Sequence, residues 1–198
     1  MASEPDADGG WPRKLGERIV VWGSGGKTTV SRRIGVLTGL LVVELDALYW
    51  QPRWKETAWE EFRRKVAEAL AAHPEGWIVD GLYSRAQDLV LPQADTIVWL
   101  RLPFAIVFWR VVKRTALHLV RRDVLWGTNR ETWRSFLSRD GMIVGTILWR
   151  IRGLPDARIR WLLANVATGA ALIELSSTRE VEEFLRSLES TRLQEAQA

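Results

Sequence analysis

The run from Arg18 to Val30 constrains the fold more than any other part of the chain. It begins with the apolar residues 19–22, continues through the glycine-rich residues 23–26 and ends with Lys27-Thr28-Thr29, where a helical pattern starts. A strand, a glycine turn, and then Lys and a hydroxyl at a helix start form the layout of a phosphate-binding loop. The glycines let backbone N–H groups face an anion, the Lys places a charge beside the outer phosphates, and the hydroxyl is a magnesium ligand.

The spacing of these glycines departs from the usual pattern. That pattern has four residues between its first glycine and the Gly-Lys pair. Here Gly23 and Gly26 have two residues between them, and Val21 occupies the position of the expected first glycine. The loop is therefore two residues short, which removes backbone donors that normally surround a phosphate. Its interpretation depends on the rest of the chain.

Composition and charge narrow the function classes. At 198 residues with 47% hydrophobic content, the chain suits one globular domain. It lacks an uncharged apolar run of about 18 residues, cysteines, and the apolar core of a signal peptide. His73 and His118 are its only histidines, which disfavours a histidine metal site or catalytic triad. We expect a cytoplasmic monomer without a membrane segment.

The positive charge is concentrated in one third of the chain. Residues 101–160 hold 13 Lys and Arg against 4 Asp and Glu, a net charge of +9, while the whole chain carries +4. Such clustering indicates a nucleic acid, a membrane surface or a phosphorylated ligand as partner. We favour a nucleotide and a small-molecule acceptor over nucleic acid, because the glycine loop is present as well.

Apolar strand patterns alternate with helical patterns along the chain. The sequence predicts strands at 18–22, 40–46, 77–80, 96–100 and 170–175, and hence an α/β fold with a parallel sheet. Capping boxes predict helix starts at Thr57–Glu60 and Ser177–Glu180. We expect a disordered segment at 1–17, one domain at 18–190 and a frayed tail at 191–198.

Carboxylates follow two of the predicted strands. Asp46 ends the second and Asp80 the third, and ligands of parallel α/β sheets bind beyond the carboxyl ends of the strands. Asp80 is predicted to hold Mg2+ with Thr28, and Asp46 to orient or deprotonate an acceptor group. The alternative is that each Asp merely caps the next helix or turn.

Arginines and aromatic residues complete the candidate site. Six arginines could neutralise the transferring phosphoryl group from a lid, or could simply form a basic surface: Arg110, Arg114, Arg121, Arg122, Arg130 and Arg134. Tyr49, Trp50 and Trp54 follow Asp46 and are candidates for stacking on a base or ring.

Taken together, these motifs resemble those of the adenylate-kinase-like P-loop kinases, in particular bacterial members described as topology modulation proteins. The resemblance covers about residues 18–185 and rests on the segments 18–23, 26–29, 44–52, 77–84, 102–103, 109–114 and 125–131. It implies a three-layer P-loop NTPase fold with a five-stranded parallel sheet, an acceptor-binding segment at about 47–75 and a helical Arg-rich lid at about 115–150. Asp80-Gly81 with Arg85 is similar to the stretch by which nucleoside monophosphate kinases bind magnesium and the acceptor phosphate.

Residues and resemblance together define the predicted site. The cofactor-binding residues, for ATP, are Gly23, Ser24, Gly25, Gly26, Lys27, Thr28 and Thr29. The catalytic residues are Lys27, Asp46, Asp80, Arg114, Arg121 and Arg130, and the Mg2+ ligands are Thr28 and Asp80. The substrate-binding residues are Asp46, Tyr49, Trp50, Gly81, Tyr83, Arg85 and Arg134.

Two functional hypotheses follow from the sequence. The first is an ATP- and Mg2+-dependent phosphotransferase acting on a small acceptor, with a nucleoside monophosphate as the first candidate. The second is a catalytically impaired nucleotide-binding or nucleic-acid-binding regulatory protein. The short loop and the basic segment favour the second, whereas Lys27, Thr28, Asp46 and Asp80 favour the first.

Overall fold

The computed structural model describes residues 2–3, 11, 15–23, 25–121, 124–125, 129–130, 161–162, 166 and 169–195. The strands are β1 (Ala2–Ser3), β2 (Arg18–Gly23), β3 (Leu41–Glu44), β4 (Trp50–Gln51), β5 (Lys55–Glu56), β6 (Trp77–Asp80), β7 (Thr96–Leu100), β8 (Val124–Leu125), β9 (Asn129–Arg130) and β10 (Ala171–Leu175). The helices are α1 (Lys27–Thr38), α2 (Leu45–Tyr49), α3 (Trp59–Ala71), α4 (Gln87–Val90), α5 (Phe104–Arg121) and α6 (Thr178–Glu195). Single helical turns span Pro52–Trp54 and Leu91–Gln93.

The five predicted strands form a parallel sheet, as expected. The order is β1-β10-β7-β2-β6-β3, with β2 at the centre and the two-residue β1 added at one edge. The second strand is shorter than predicted. It ends at Glu44, and Asp46 lies in the first turn of α2.

Each face of the sheet is covered by helices. In β2, Ile19 and Val21 point into one apolar core, which also contains residues of α1, α5 and α6. Val20 and Trp22 point into the other, which contains residues of α2, α3 and α4. Because alternate residues of the central strand enter different cores, the fold has three layers with an apolar core on each side of the sheet.

The sheet brings the predicted site elements to one edge. β2 runs into the glycine loop, and its two neighbours are β6 and β7. In the register, Asp80 at the end of β6 lies opposite Val21 of β2 and Glu44 of β3. The carboxyl ends of three adjacent strands therefore present Gly23, Glu44 and Asp80 beside one another.

Residues near the N-terminus make defined contacts. Ala2 and Ser3 pair with β10, and Trp11 is buried with its ring edge against Phe184. Asp95 accepts hydrogen bonds from the backbone N–H groups of Glu17 and Arg18 and so fixes the start of β2. The domain boundary predicted at residue 18 thus excludes Trp11, although its ring contributes to a core.

The segment predicted as a lid is described only in part. β8 and β9 form an antiparallel pair, and β9 lies against the Pro52–Trp54 turn. Residues 131–150 lie outside the described residues, as do the last three residues of the predicted tail. No helix in the described part of the chain has the length and apolar character that a membrane crossing requires.

Candidate active site

The glycine loop joins β2 to α1 in a conformation that requires glycine. Gly23, Gly25 and Gly26 have φ angles of 118°, 76° and 141°. These values lie in a region that residues with a Cβ rarely adopt. A Cβ on Gly23 would come within 2.1 Å of the Leu100 carbonyl oxygen, so the loop lies directly against the end of β7. Ser24, also predicted to bind the cofactor, lies outside the described residues.

The start of α1 meets the requirements of an anion-binding helix terminus. Gly26 is its N-cap and supplies no side-chain hydrogen bond, and the first turn holds no acidic residue. The N–H groups of the first turn have no intrahelical acceptor, and the helix dipole adds positive potential there. Lys27 and Thr28 are half-buried in this turn, whereas Thr29 is exposed.

Asp80 is a buried carboxylate beside this helix start. It is 6% exposed, and burial raises the pKa of its carboxyl group. A hydrogen bond with Thr28 and the charge of Lys27 act in the opposite direction on that pKa, while the charges of Asp46 and Glu44 raise it further. Asp80, Thr28, Lys27 and Asp46 therefore lie within electrostatic reach of one another.

Magnesium fits the donor set around Asp80. Its Oδ1 atom is buried and has no hydrogen-bond partner among the described residues, and an unsatisfied buried oxygen of this kind is costly. A carboxylate and a threonine hydroxyl are hard oxygen ligands, which Mg2+ prefers, and Mg2+ commonly completes its shell with water and phosphate oxygens. The described residues contain no cluster of three or more Asp, Glu, His or Cys suited to a metal. Asp80 and Thr28 would thus hold the ion together with the nucleotide.

Asp46 and Tyr83 form a hydrogen-bonded pair. The Tyr83 hydroxyl donates to Asp46 Oδ1 over 2.6 Å. Burial, together with the charge and hydrogen bond of Asp46, raises the pKa of Tyr83 well above its ordinary value. Tyr83 therefore remains a donor at any physiological pH, and it fixes the orientation of a half-buried carboxylate.

A cluster of aromatic rings supports this pair, and we call it the aromatic cluster. It consists of Tyr49, Trp50, Trp54, Trp59, Phe62 and Tyr83. Tyr49 lies at its centre, stacked on Trp59 with ring centroids 5.0 Å apart and 4.9 Å from the ring of Tyr83. Burial, followed by a hydrogen bond with Glu56, raises the pKa of Tyr49 to about 12. Because Tyr49 is only 5% exposed, its position favours a supporting role over direct stacking on a substrate.

Arg85 lies beside the aromatic cluster. Its guanidinium carbon is 5.2 Å from the centroid of the Trp59 ring, within cation–π distance. The backbone carbonyl of Arg85 accepts a hydrogen bond from Arg63, which also pairs with Asp88. The backbone is thereby held while the exposed Arg85 side chain remains next to an aromatic surface.

The β4–β5 hairpin is stabilised by Thr57, against the sequence prediction. The Thr57 hydroxyl donates to the Tyr49 carbonyl over 2.7 Å, and the Thr57 N–H donates to the same carbonyl. The predicted capping box at Thr57–Glu60 is therefore wrong, because its hydroxyl is engaged with the hairpin and α3 has Ala58 as an N-cap without a side-chain bond.

The predicted arginines separate into different environments. Arg110 reaches the glycine loop, where its Nη1 donates to the Gly25 carbonyl over 2.6 Å. Arg114, one turn later on α5, is exposed. The side chains of Arg121 and Arg130 are not among those described, and Arg122 and Arg134 lie outside the described residues. The structure leaves the predicted roles of these last four as predictions.

Two site features escaped the sequence prediction. Trp59 has the signature of a core residue, since it begins an amphipathic helix, yet its ring bridges Tyr49 and Arg85. Thr178, which accepts a hydrogen bond from Arg110, follows a predicted helix cap and shows no distinguishing signal in the sequence. Both contacts depend on the distance between separate elements, which local patterns do not specify.

Comparison with known proteins supports the fold. The chain matches the crystal structure of a gluconokinase from Sinorhizobium meliloti 1021 with a TM-score of 0.50 and 17% sequence identity, covering 90% of this chain and 93% of that one. It also matches a sugar kinase from Janibacter sp. HTCC2649 with a TM-score of 0.44 and 18% identity, covering 86% and 91%. Comparisons with protein-family models and with curated protein sequences find no match. At 17% identity the first match shows that this chain shares the α/β fold of that protein, and it leaves both the activity and the substrate open.

Proposed function

We propose that this protein transfers the γ-phosphoryl group of ATP to a small acceptor, with Mg2+ as cofactor. The observation that carries the proposal is the arrangement around Asp80. A buried carboxylate oxygen, which has no hydrogen-bond partner in the described part of the chain, lies beside Thr28 and Lys27 at the start of α1, whose N-cap Gly26 makes no side-chain hydrogen bond. A phosphoryl donor needs a cradle of N–H groups, a lysine and a metal ligand set at one place, and this arrangement offers all three.

The residues of the chain have distinct parts in this reaction. The loop amides and Lys27 bind and orient the donor phosphates, and Thr28 and Asp80 hold the ion, which neutralises phosphate charge when it is bound. The oxygen of an acceptor hydroxyl forms a bond to the γ-phosphorus, and Asp46 accepts the proton that this hydroxyl loses. The bond between that phosphorus and the β–γ bridging oxygen breaks, and ADP leaves with the electron pair.

The acceptor side favours a neutral hydroxyl over a phosphate. The sequence resemblance suggests a nucleoside monophosphate, in which the atom that accepts the phosphoryl group is an oxygen of a negatively charged phosphate. Asp46 would repel that anion, whereas a carboxylate fixed by Tyr83 is suited to accept a proton from an alcohol. The aromatic cluster and Arg85 would receive the remainder of an acceptor that carries a ring or an anionic group. We therefore place hydroxylated ring compounds and sugar acids ahead of nucleoside monophosphates.

The test measures ATP binding and turnover separately. Calorimetry and thermal shift with ATP, with and without Mg2+, should show Mg2+-dependent binding that Lys27→Ala abolishes. ADP formation against a panel of nucleoside monophosphates, sugars, sugar acids and cyclic alcohols should rise with one class of acceptor. Absence of ATP binding by the wild-type protein would refute the proposal.

The catalytically impaired alternative predicts a different pattern. In that case ATP or nucleic acid binds, but no acceptor in the panel raises ADP formation. A nucleic-acid complex would weaken steeply with salt and would depend little on Lys27. A cytoplasmic location remains part of the proposal, because an ATP-dependent enzyme needs a nucleotide pool. The monomeric state remains an expectation from the sequence.

A further inference from the structure

The short glycine loop has an additional contact that links it to two other helices. Arg110 of α5 donates from Nη1 to the Gly25 carbonyl over 2.6 Å and from Nη2 to the Thr178 hydroxyl over 3.1 Å. Its Nη1 also lies 3.1 Å from the position that a Cβ on Gly26 would occupy. The guanidinium therefore lies directly behind the two glycines that precede Lys27.

This contact determines how the Gly25–Gly26 peptide is oriented. The described residues contain no cis peptide bond, and in a trans peptide the carbonyl and the N–H point in opposite directions. With the Gly25 carbonyl directed at Arg110, the Gly26 N–H is directed away from α5. The Gly25 carbonyl of the short loop is thus held by a side chain from another helix.

Both anchors of Arg110 are fixed. Gly25 packs against the backbone of Val107, where an added Cβ would come within 3.2 Å of the Cα atom. On the other side, Thr178 begins α6, which is tied to α1 by ion pairs of Arg33 with Glu182 and Glu189 at 2.9 and 3.0 Å. Arg110 thus connects the glycine loop to α6, and α6 in turn packs against α1, the helix that follows the loop.

Among the described residues, no carboxylate neutralises the charge of Arg110. Its two partners among them are a carbonyl and a hydroxyl. A half-buried guanidinium at the loop adds positive potential where α1 begins. Positioning and charge thus act at the same place.

We propose that Arg110 is the positioning residue that lets the shortened loop bind phosphate, in place of the two residues that the loop lacks. It holds the Gly25 carbonyl against α5, anchors the loop to Thr178 and directs the Gly26 N–H towards the anion. The proposal rests on the phosphate-binding function proposed above for this loop. It assigns to Arg110 a role distinct from that of the exposed Arg114 on the same helix.

The experiment compares two probes across matched variants. Affinities for inorganic tripolyphosphate and for ATP are measured by calorimetry with Mg2+, for the wild-type protein, Arg110→Gln, Arg110→Lys, Thr178→Val and Lys113→Gln. Lys113→Gln removes one exposed positive charge from the same helix and serves as the control. Arg110→Gln should weaken both probes by the same factor of about 10- to 100-fold, the range for a hydrogen bond to a charged group. Thr178→Val should weaken both by a smaller factor, and Lys113→Gln should leave both nearly unchanged.

A lengthened loop provides the decisive control. A variant with two inserted residues restores four positions between Gly23 and Gly26, and Arg110→Gln is then measured in that background. The loss should be at least fivefold smaller than in the short loop, since the two changes act on the same geometry. A loss confined to ATP would assign Arg110 to the nucleotide base and overturn the inference, as would equal losses in both loops. If the wild-type protein binds neither probe, the proposed function itself fails, which separates the two conclusions.

Discussion

The two sides of the candidate site are built from different materials. On the donor side, the backbone of a glycine loop with three positive φ angles lies beside the side chains of Lys27, Thr28 and Asp80. On the acceptor side, interlocked aromatic rings and one hydrogen-bonded carboxylate form the surface. Substitutions alter a binding surface made of backbone only when they change the backbone conformation, whereas they alter a surface made of side chains directly. We therefore expect donor-side changes to affect ATP and stability, and acceptor-side changes to affect the acceptor.

The largest effect should come from Asp46. Replacement by Asn leaves the hydrogen bond from Tyr83 but removes the proton acceptor, so kcat should fall by about 10²- to 10⁴-fold. The affinity for ATP should stay close to that of the wild-type protein, because Asp46 belongs to the acceptor side. Steady-state ADP formation and calorimetry measure the two quantities. A loss below tenfold would indicate an acceptor that needs no base, such as a phosphate.

Gly23 tests the donor side through stability. Gly23→Ala places a Cβ within 2.1 Å of the Leu100 carbonyl at a φ of 118°, so the free energy of unfolding should fall by about 3 kcal/mol. Gly39→Ala is the matched control. Gly39 also has a positive φ, 79°, but its Cβ would meet nothing within 4 Å, so its cost should be about 1 kcal/mol. Urea denaturation measures both, and equal losses would mean that the contact with β7 carries no weight.

Trp59 tests the acceptor side. Trp59→Ala removes the ring that stacks on Tyr49 and faces Arg85, so the KM for the acceptor should rise by about tenfold. The KM for ATP should remain unchanged. Trp109→Ala, at an exposed position of α5, is the control and should alter neither constant. A rise in the KM for ATP alone would show that the two sides are less separate than we propose.

The smallest effect on stability concerns the ionisation of Asp80. Because its folded-state pKa is raised, folding binds a proton, and stability is lost as pH rises from the ordinary carboxyl range through that raised pKa. Asp80→Asn removes this loss. Without metal, the melting temperature of Asp80→Asn should therefore gain on that of the wild-type protein as pH rises from the ordinary carboxyl range to pH 7, as thermal denaturation over a pH series would show.

Asp88 supplies the control of opposite sign. Its pKa is lowered by the hydrogen bond with Arg63, so ionised Asp88 contributes stability that is present above the ordinary carboxyl pKa. Asp88→Asn should therefore slightly lower the melting temperature at pH 7. Of these two variants, only Asp80→Asn should lose Mg2+-dependent activity. If Asp80→Asn kept that activity, Asp80 would not be a Mg2+ ligand.

The sequence predicted most of the fold and the donor side, because both depend on local patterns. Strand periodicity located the five main strands within a few residues at each end, and Gly-Gly-Lys-Thr located the start of α1. The capping box at Ser177–Glu180 is confirmed, since the Ser177 hydroxyl accepts from the Glu180 N–H over 3.1 Å. A cap of the same type at Thr57 was overridden by a hairpin that tertiary packing provides.

The acceptor side and the role of Arg110 could not be derived in the same way. Helical spacing places Arg110, Lys113 and Arg114 on one face of α5, but the structure turns Arg110 into the glycine loop and leaves the other two exposed. The spacing of residues in a helix predicts in which direction each side chain leaves the helix axis. It does not predict how far that side chain is from the neighbouring loop or helix. Pairs such as Asp46–Tyr83 arise from residues 37 positions apart, and no local pattern encodes them.

The pairing of Ala2–Ser3 with β10 has a consequence for association between chains. An outer strand of a sheet exposes N–H and carbonyl groups to which a strand from another molecule can add. Leu172 and Ile173 of β10 are already paired on their outer side, and β3 at the opposite edge is only four residues long. The described sheet therefore offers an incoming strand little length for edge-to-edge aggregation, at either side of the molecule.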